Sequence, residues 1–234
     1  MPRSIHVLIA AALLLAAACG QGRVAKSISP REVTIPAGDA SLAATLYPSL
    51  EPRPAGLLLL HGAQGHRDDW ILFATRAQQA GFVALAPEFA WPADASGRID
   101  ASALDRIQSA FDHLQHAGID PARIALVGAD VGAGLALQYA ARNTAVNAVA
   151  LVSPGLDFGG ISAEKALDEY GRGAVYFVSA SGDAFSADSA RKLHAKASGF
   201  AELREYPGAA HGTDLFTVSE NSAAQLLDWL KTVL

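Results

Sequence analysis

Three residues of this chain could share one piece of chemistry. Asp130 lies in Gly128-Ala129-Asp130-Val131-Gly132, between the apolar run Ile124 to Val127 and a helix-forming stretch. Asp183 follows a second apolar run, Val175 to Val178, and His211 sits in Tyr206-Pro207-Gly208-Ala209-Ala210-His211-Gly212. A carboxylate can hold an imidazole through one ring nitrogen and leave the other to work on a nucleophile or on water. A second acid in a glycine-framed turn between strand and helix occupies the position of an attacking group. Serine is the usual residue there, so the aspartate decides the chemistry. Either a serine mechanism has lost its nucleophile, or the attack goes through a carboxylate. A carboxylate suits attack at an sp³ carbon, giving an alkyl ester that His-activated water then opens. Attack on an ordinary acyl ester would need a mixed anhydride, which argues against simple esterase chemistry.

Each residue also has a plainer role open to it. His211 could be a loop histidine bonded to backbone, and Asp183 could cap a helix starting near Ser186. Asp130 tolerates positive φ and suits a helix start, so it could fill the turn without reacting. Ser153 and Ser181 lie at strand ends outside any glycine-framed turn and do not replace a missing nucleophile. Taken together, the three positions favour a catalytic constellation.

The elements that must hold them alternate along the chain. Glu32 to Pro36 and Ser41 to Tyr47 read as an opening antiparallel pair. Leu57 to Leu60, Phe82 to Ala86, Ile124 to Val127, Ala148 to Val152, Val175 to Val178 and Glu202 to Tyr206 read as strands. Continuous apolar runs of this kind suit buried parallel strands. Helices are expected over Asp69 to Gln79, Ala103 to His116 with Ser102 as its cap, Val131 to Arg142, Ser186 to Ala197 and Ser222 to Leu234. Repeated βα units imply a mostly parallel sheet of about 8 strands with helices on both faces. Residues 32–234 read as one domain.

This pattern resembles the α/β-hydrolase fold over nearly the whole of that domain. The lead-in Gly118-Ile119-Asp120-Pro121-Ala122-Arg123-Ile124-Ala125-Leu126-Val127-Gly128 is similar to that of dienelactone-hydrolase-like and prolyl-oligopeptidase-like members. The resemblance implies Asp130, Asp183 and His211 as the catalytic set, in the order nucleophile, acid, histidine. It implies an oxyanion hole from the backbone N–H groups of Ala63 and Val131, His61 itself being structural. Arg67 and Trp70 are expected to shape and cover the pocket edge. Haloalkane dehalogenases and epoxide hydrolases of this fold attack through aspartate, but this chain departs from both. Val131 stands where tryptophan or arginine commonly follows their aspartate, and Gln64 where epoxide hydrolases have proline. Between Pro154 and Val175 there is room for a minimal cap or none, with Tyr170 as its sole tyrosine. The substrate is therefore expected to be a small molecule. The alternative is an inactive relative that keeps the pocket for binding or as a scaffold.

The N-terminus reads as a targeting segment. Arg3 precedes the apolar stretch Ile5 to Ala18, which is too short to span a bilayer. Ala16-Ala17-Ala18-Cys19 resembles a bacterial lipobox, implying a signal peptide over 1–18, lipidation of Cys19, and a tether over 19–31. Gln21 in place of aspartate two residues after the cysteine would direct such a lipoprotein to the outer membrane, facing the periplasm. Cys19 is the only cysteine among 234 residues, so no internal disulfide is available to it. A formal charge of −5 with no basic block argues against nucleic acid as a partner. No cofactor motif is present, and no histidines stand in a metal-binding pattern; His113 and His116 read as a solvated helix face.

Overall fold

The computed structural model describes residues 28–91 and 97–234; the signal peptide, Cys19 and most of the tether lie outside the described residues. Strand β1 (Arg31–Ala37) turns through Gly38, at φ 62°, into β2 (Ala40–Tyr47), and the two pair antiparallel. Then follow β3 (Gly56–Leu60), α1 (Ile71–Gln79), β4 (Val83–Pro87), α2 (Ser102–His116), β5 (Ile124–Ala129), α3 (Val131–Arg142) and β6 (Ala148–Val152). A short hairpin, β7 (Asp157–Phe158) and β8 (Ile161–Ser162), leads to α4 (Ala163–Tyr170). The chain ends with β9 (Ala174–Ala180), α5 (Ala184–Lys196), β10 (Ala201–Tyr206), the single-turn α6 (Leu215–Val218) and α7 (Glu220–Val233).

Eight strands form one sheet in the order β1-β2-β4-β3-β5-β6-β9-β10, parallel from β4 to β10. This is the α/β-hydrolase architecture. Alternate residues of the buried strands serve opposite faces, as the two-residue period of a strand requires. Leu58, Leu60, Leu126, Leu151 and Phe177 pack toward α2, α3, α4 and α5. Leu57, Leu59, Val127, Val152 and Tyr176 pack toward α1 and α7, through Phe73, Leu226 and Trp229. Both faces are dry, so the continuous apolar runs have a physical cause: β3, β4, β5 and β6 are buried at every position.

Several local expectations are corrected. Ser102 is the first helical residue of α2, and Asp100 Oδ1 instead accepts its N–H at 2.7 Å. Trp70 is fully buried against Phe73 and Phe216, so it is a core residue and not a pocket cover. Arg67 is held by Glu32 and Asp68 away from the cavity described below. The segment after β6 builds the β7–β8 hairpin and α4, which packs on α3 as part of the helical layer and not as a lid. Its start is capped by Ser162 Oγ, which accepts the Lys165 N–H at 3.3 Å.

Candidate active site

All the parallel strands end at one edge, and the turn after β5 carries Asp130 in a conformation few residues accept. Its φ is 52° and ψ −120°, a left-handed backbone that costs a side-chain-bearing residue on the order of 1–2 kcal/mol. The turn is pinned on both sides. Asp130 N donates to Val152 O of β6 at 3.0 Å, and Ala133 N donates to Asp130 O at 3.0 Å. The framing glycines are needed because α3 starts so close to the sheet. A Cβ on Gly128 would collide with the Gly132 carbonyl, and one on Gly132 with the Leu60 and His61 carbonyls. The motif therefore encodes a close approach of helix to sheet, with Asp130 at its apex.

The loop after β3 is fixed by His61. Its Nδ1 donates to Gly62 O at 2.8 Å, while its Nε2 accepts the Phe89 N–H at 2.9 Å. One nitrogen donates and the other accepts, which defines a neutral ring. Burial pushes its pKa down, against the opposing pull of the Gly62 carbonyl and Glu88. Trp91 Nε1 donates to the His61 carbonyl at 3.1 Å, and Gly65 N to Gly62 O at 3.2 Å. The loop so held aims the Ala63 N–H at Asp130 Oδ2, 3.2 Å away. The Val131 N–H is near enough to the Asp130 carboxylate to help lower its pKa. Both expected oxyanion donors thus converge on one oxygen-bearing group, at the positive end of α3.

The turn after β9 supplies the second acid. Asp183 Oδ2 accepts from His211 Nδ1 at 2.7 Å, and its Oδ1 accepts the Ser186 N–H at 3.4 Å. Helix capping and histidine orientation are done by the same carboxylate. The remaining ring nitrogen, Nε2, faces Asp130 Oδ1 at 3.8 Å. At that separation the contact is an ion pair and not a formed hydrogen bond.

These contacts set the charges. Burial pushes Asp130 upward, but the His211 ring and the Ala63 and Val131 N–H groups outweigh it and hold the acid below its ordinary range. Asp183 is likewise raised by burial and lowered further by Ser186 and His211, with a net downward shift. His211 is pushed up to about 9, first by Asp130, then against burial by Asp183. The resting arrangement is an imidazolium between two carboxylates.

A cavity of about 320 Å³ opens beside this group. It is lined by Gly62 to Gly65 on one side and by His211 to Asp214 on the other, with Asp69, Ala129 and Asp130 at its wall. Among the described residues, no lysine or arginine lines it. Asp69, Thr213, Asp214, Ser153 and Ser186 all serve the site or its frame and were not singled out for it by sequence. For Ser186, its place three residues after the capping Asp183 was the available signal. Ser153 is different: its φ is 48°, and with Asp130 it is one of two non-glycine residues with positive φ among the described residues.

The family profile for dienelactone hydrolases, described as "Dienelactone hydrolase family", matches residues 42–233. No curated protein matches the sequence closely enough to be called a relative. Among solved structures, a dienelactone hydrolase from Anabaena variabilis superposes with a TM-score of 0.66 at 19% identity, covering 86% of this chain and 94% of its own. An esterase from Pyrococcus furiosus gives 0.71 at 14% identity, covering 88% and 93%. The α/β hydrolase GrgF from a Penicillium species gives 0.72 at 16% identity, covering 88% and 99%. At these identities the likeness is one of fold.

Proposed function

Because the chain belongs to the dienelactone hydrolase family, we propose that it hydrolyses a small molecule through an ester formed on Asp130. The observation that carries this reading is the division of labour within one carboxylate. Oδ2 is held by the Ala63 N–H, Oδ1 faces His211 Nε2 at 3.8 Å, and the residue itself lines the cavity. Oδ1 attacks an sp³ carbon and the leaving group departs with the bonding electron pair, leaving an Asp130 alkyl ester. That ester carries no negative charge, so the main force raising the His211 pKa disappears. The imidazolium passes its proton on as the leaving group departs, and the neutral ring can then take a proton from water. Water attacks Cγ, the developing oxyanion is met by the Ala63 and Val131 N–H groups, and the alcohol leaves as Asp130 is regenerated. The carboxylates around the cavity favour neutral or cationic substrates over anionic ones.

Replacing His211 tests this directly. The variant H211Q should still be alkylated but should not turn over, so intact mass after exposure to small haloalkanes, epoxides and lactones should show an adduct on Asp130. A protein left unmodified by every electrophile that the wild type consumes would contradict the proposal.

One contact favours a second reading, that of an inactive binding protein of the cell envelope. The Asp130 carboxylate already occupies the N–H group that an acyl oxyanion would use. On that reading the purified wild type leaves esters, lactones, haloalkanes and epoxides untouched, while Asp130→Ser gains esterase activity.

We further propose anchoring in a bacterial outer membrane, facing the periplasm, through a lipidated Cys19. Where the described chain begins, Ile28 O accepts from Gln78 Nε2 at 3.1 Å, and the same amide bonds Pro48 O at 2.8 Å. Gln78 closes α1 at the edge where β4 begins, opposite the catalytic edge. Mass spectrometry should find a diacylated or triacylated Cys19 at the mature N-terminus. An unmodified mature chain starting elsewhere would contradict the anchor.

A further inference from the structure

We propose that Ser153 is a positioning residue that suspends the His211 loop from the tip of β6 through its hydroxyl oxygen. The proposal rests on His211 being the base of the reaction above, but it stands on separate contacts.

Ser153 directly follows β6 and is 1% exposed, so it neither lines the cavity nor reaches substrate. Its N–H donates to Val178 O of β9 at 2.8 Å, which fixes it to the neighbouring strand. Its Oγ accepts the Gly212 N–H at 2.9 Å, across 59 residues of sequence. Gly212 is buried, so this N–H is cut off from water and a lost acceptor would leave it unpaired. Gly212 adjoins His211 and itself has φ 57°, a left-handed conformation that favours glycine. The histidine is thus held at two points: its ring by Asp183, its backbone by Ser153.

The strained backbone of Ser153 supports a role for the hydroxyl. At φ 48° glycine would sit without penalty, yet a side chain is present and is used. The strain lies beside that of Asp130, since Val152 O receives the Asp130 N–H. Consecutive strand tips therefore carry one residue that points into the cavity and one that points beneath it to the histidine loop. The placement matters because the Nε2–Oδ1 gap is 3.8 Å, so small drift of the loop changes the pairing.

Alanine and glycine at position 153 together separate strain from the hydrogen bond, because a fall shared by both variants reports the lost acceptor. Glycine relieves the φ strain and removes the acceptor, whereas alanine keeps the strain and removes the acceptor. In the folded full-length protein, His211 should titrate near 9 by NMR in the wild type. In S153G and S153A it should titrate at least one pH unit lower, with Asp130 and Asp183 unchanged in sequence. S153C, whose sulfur is a weak acceptor, should recover part of the shift. An S153G protein whose His211 titrates as in the wild type would overturn the proposal. Should the variants fail to fold, the wild type decides alone. A Gly212 amide protected from hydrogen exchange at least a hundredfold beyond the Thr213 amide supports the bond; equal exchange rates overturn it. Neither readout needs a substrate, so a protein that hydrolyses nothing still tests Ser153.

Discussion

The turns after β5 and β9 bring two aspartates to the same imidazole, on opposite ring nitrogens and at different ranges. Asp183 holds Nδ1 at 2.7 Å, and Asp130 stands 3.8 Å from Nε2. Asp183 sits at φ −83°, capping α5, with one oxygen on the helix start and the other on the histidine. Asp130 sits on strained backbone at φ 52°, with Oδ2 bonded to the Ala63 N–H and Oδ1 facing His211, at the wall of the cavity. The comparison teaches that equal chemistry does not mean equal role. On the proposed reading, the relaxed carboxylate orients the ring and the strained one attacks.

Exchanging the two acids' properties breaks that asymmetry. Asp130→Asn should abolish turnover, a loss on the order of 10⁴-fold or more, because an amide oxygen does not attack. Steady-state rates measured beside the melting temperature would separate this from misfolding. Asp183→Asn should cost about 10⁴-fold, since the ring loses its orienting acceptor while the nucleophile remains. Its signature is a burst of alkylated Asp130 followed by slow release, and a variant without such accumulation would make the two acids equivalent.

The charge state gives a smaller effect. In Asp130→Asn the leading cause of the raised His211 pKa is gone, so the imidazole should titrate well below the value of about 9 expected for the native site. Asp183→Asn should lower it less, because the Asp183 pull ranks behind that of Asp130. Proton or nitrogen NMR of the ring would rank the two acids directly.

The smallest effect is on stability. A histidine raised in the fold stabilises fully below its unfolded value near 6.5, and that contribution is lost as pH rises toward about 9. The ring is half exposed, so solvent screening should keep the change under about 1 kcal/mol. Melting temperatures of wild type and H211Q should therefore converge between pH 6.5 and 9.

Much of this was legible in sequence, for physical reasons. Leu57 to Leu60 and Ile124 to Val127 are apolar at every position because both faces of their strands are covered. Asp130, Asp183 and His211 each stand in a turn motif that local chemistry dictates, and the fold brings all three together. What escaped depends on contacts without local period. The Ser153–Gly212 bond spans 59 residues. The α6 helix is a single turn, too short to show periodicity. Trp70 lies just downstream of the His61-Gly62 loop, which suggests the pocket edge, but α1 and α6 bury it completely. Ser102 does not cap α2 because it is itself the first helical residue, its N–H taken up by Asp100 Oδ1.

The central claim is that water attacks Asp130 and not the substrate. A single turnover with enzyme in excess, run in ¹⁸O-labelled water on whichever small electrophile the protein consumes, measures this directly. One ¹⁸O should appear in the Asp130 carboxylate, with none in the alcohol released in that first turnover. Label in the product with an unlabelled Asp130 would contradict the account.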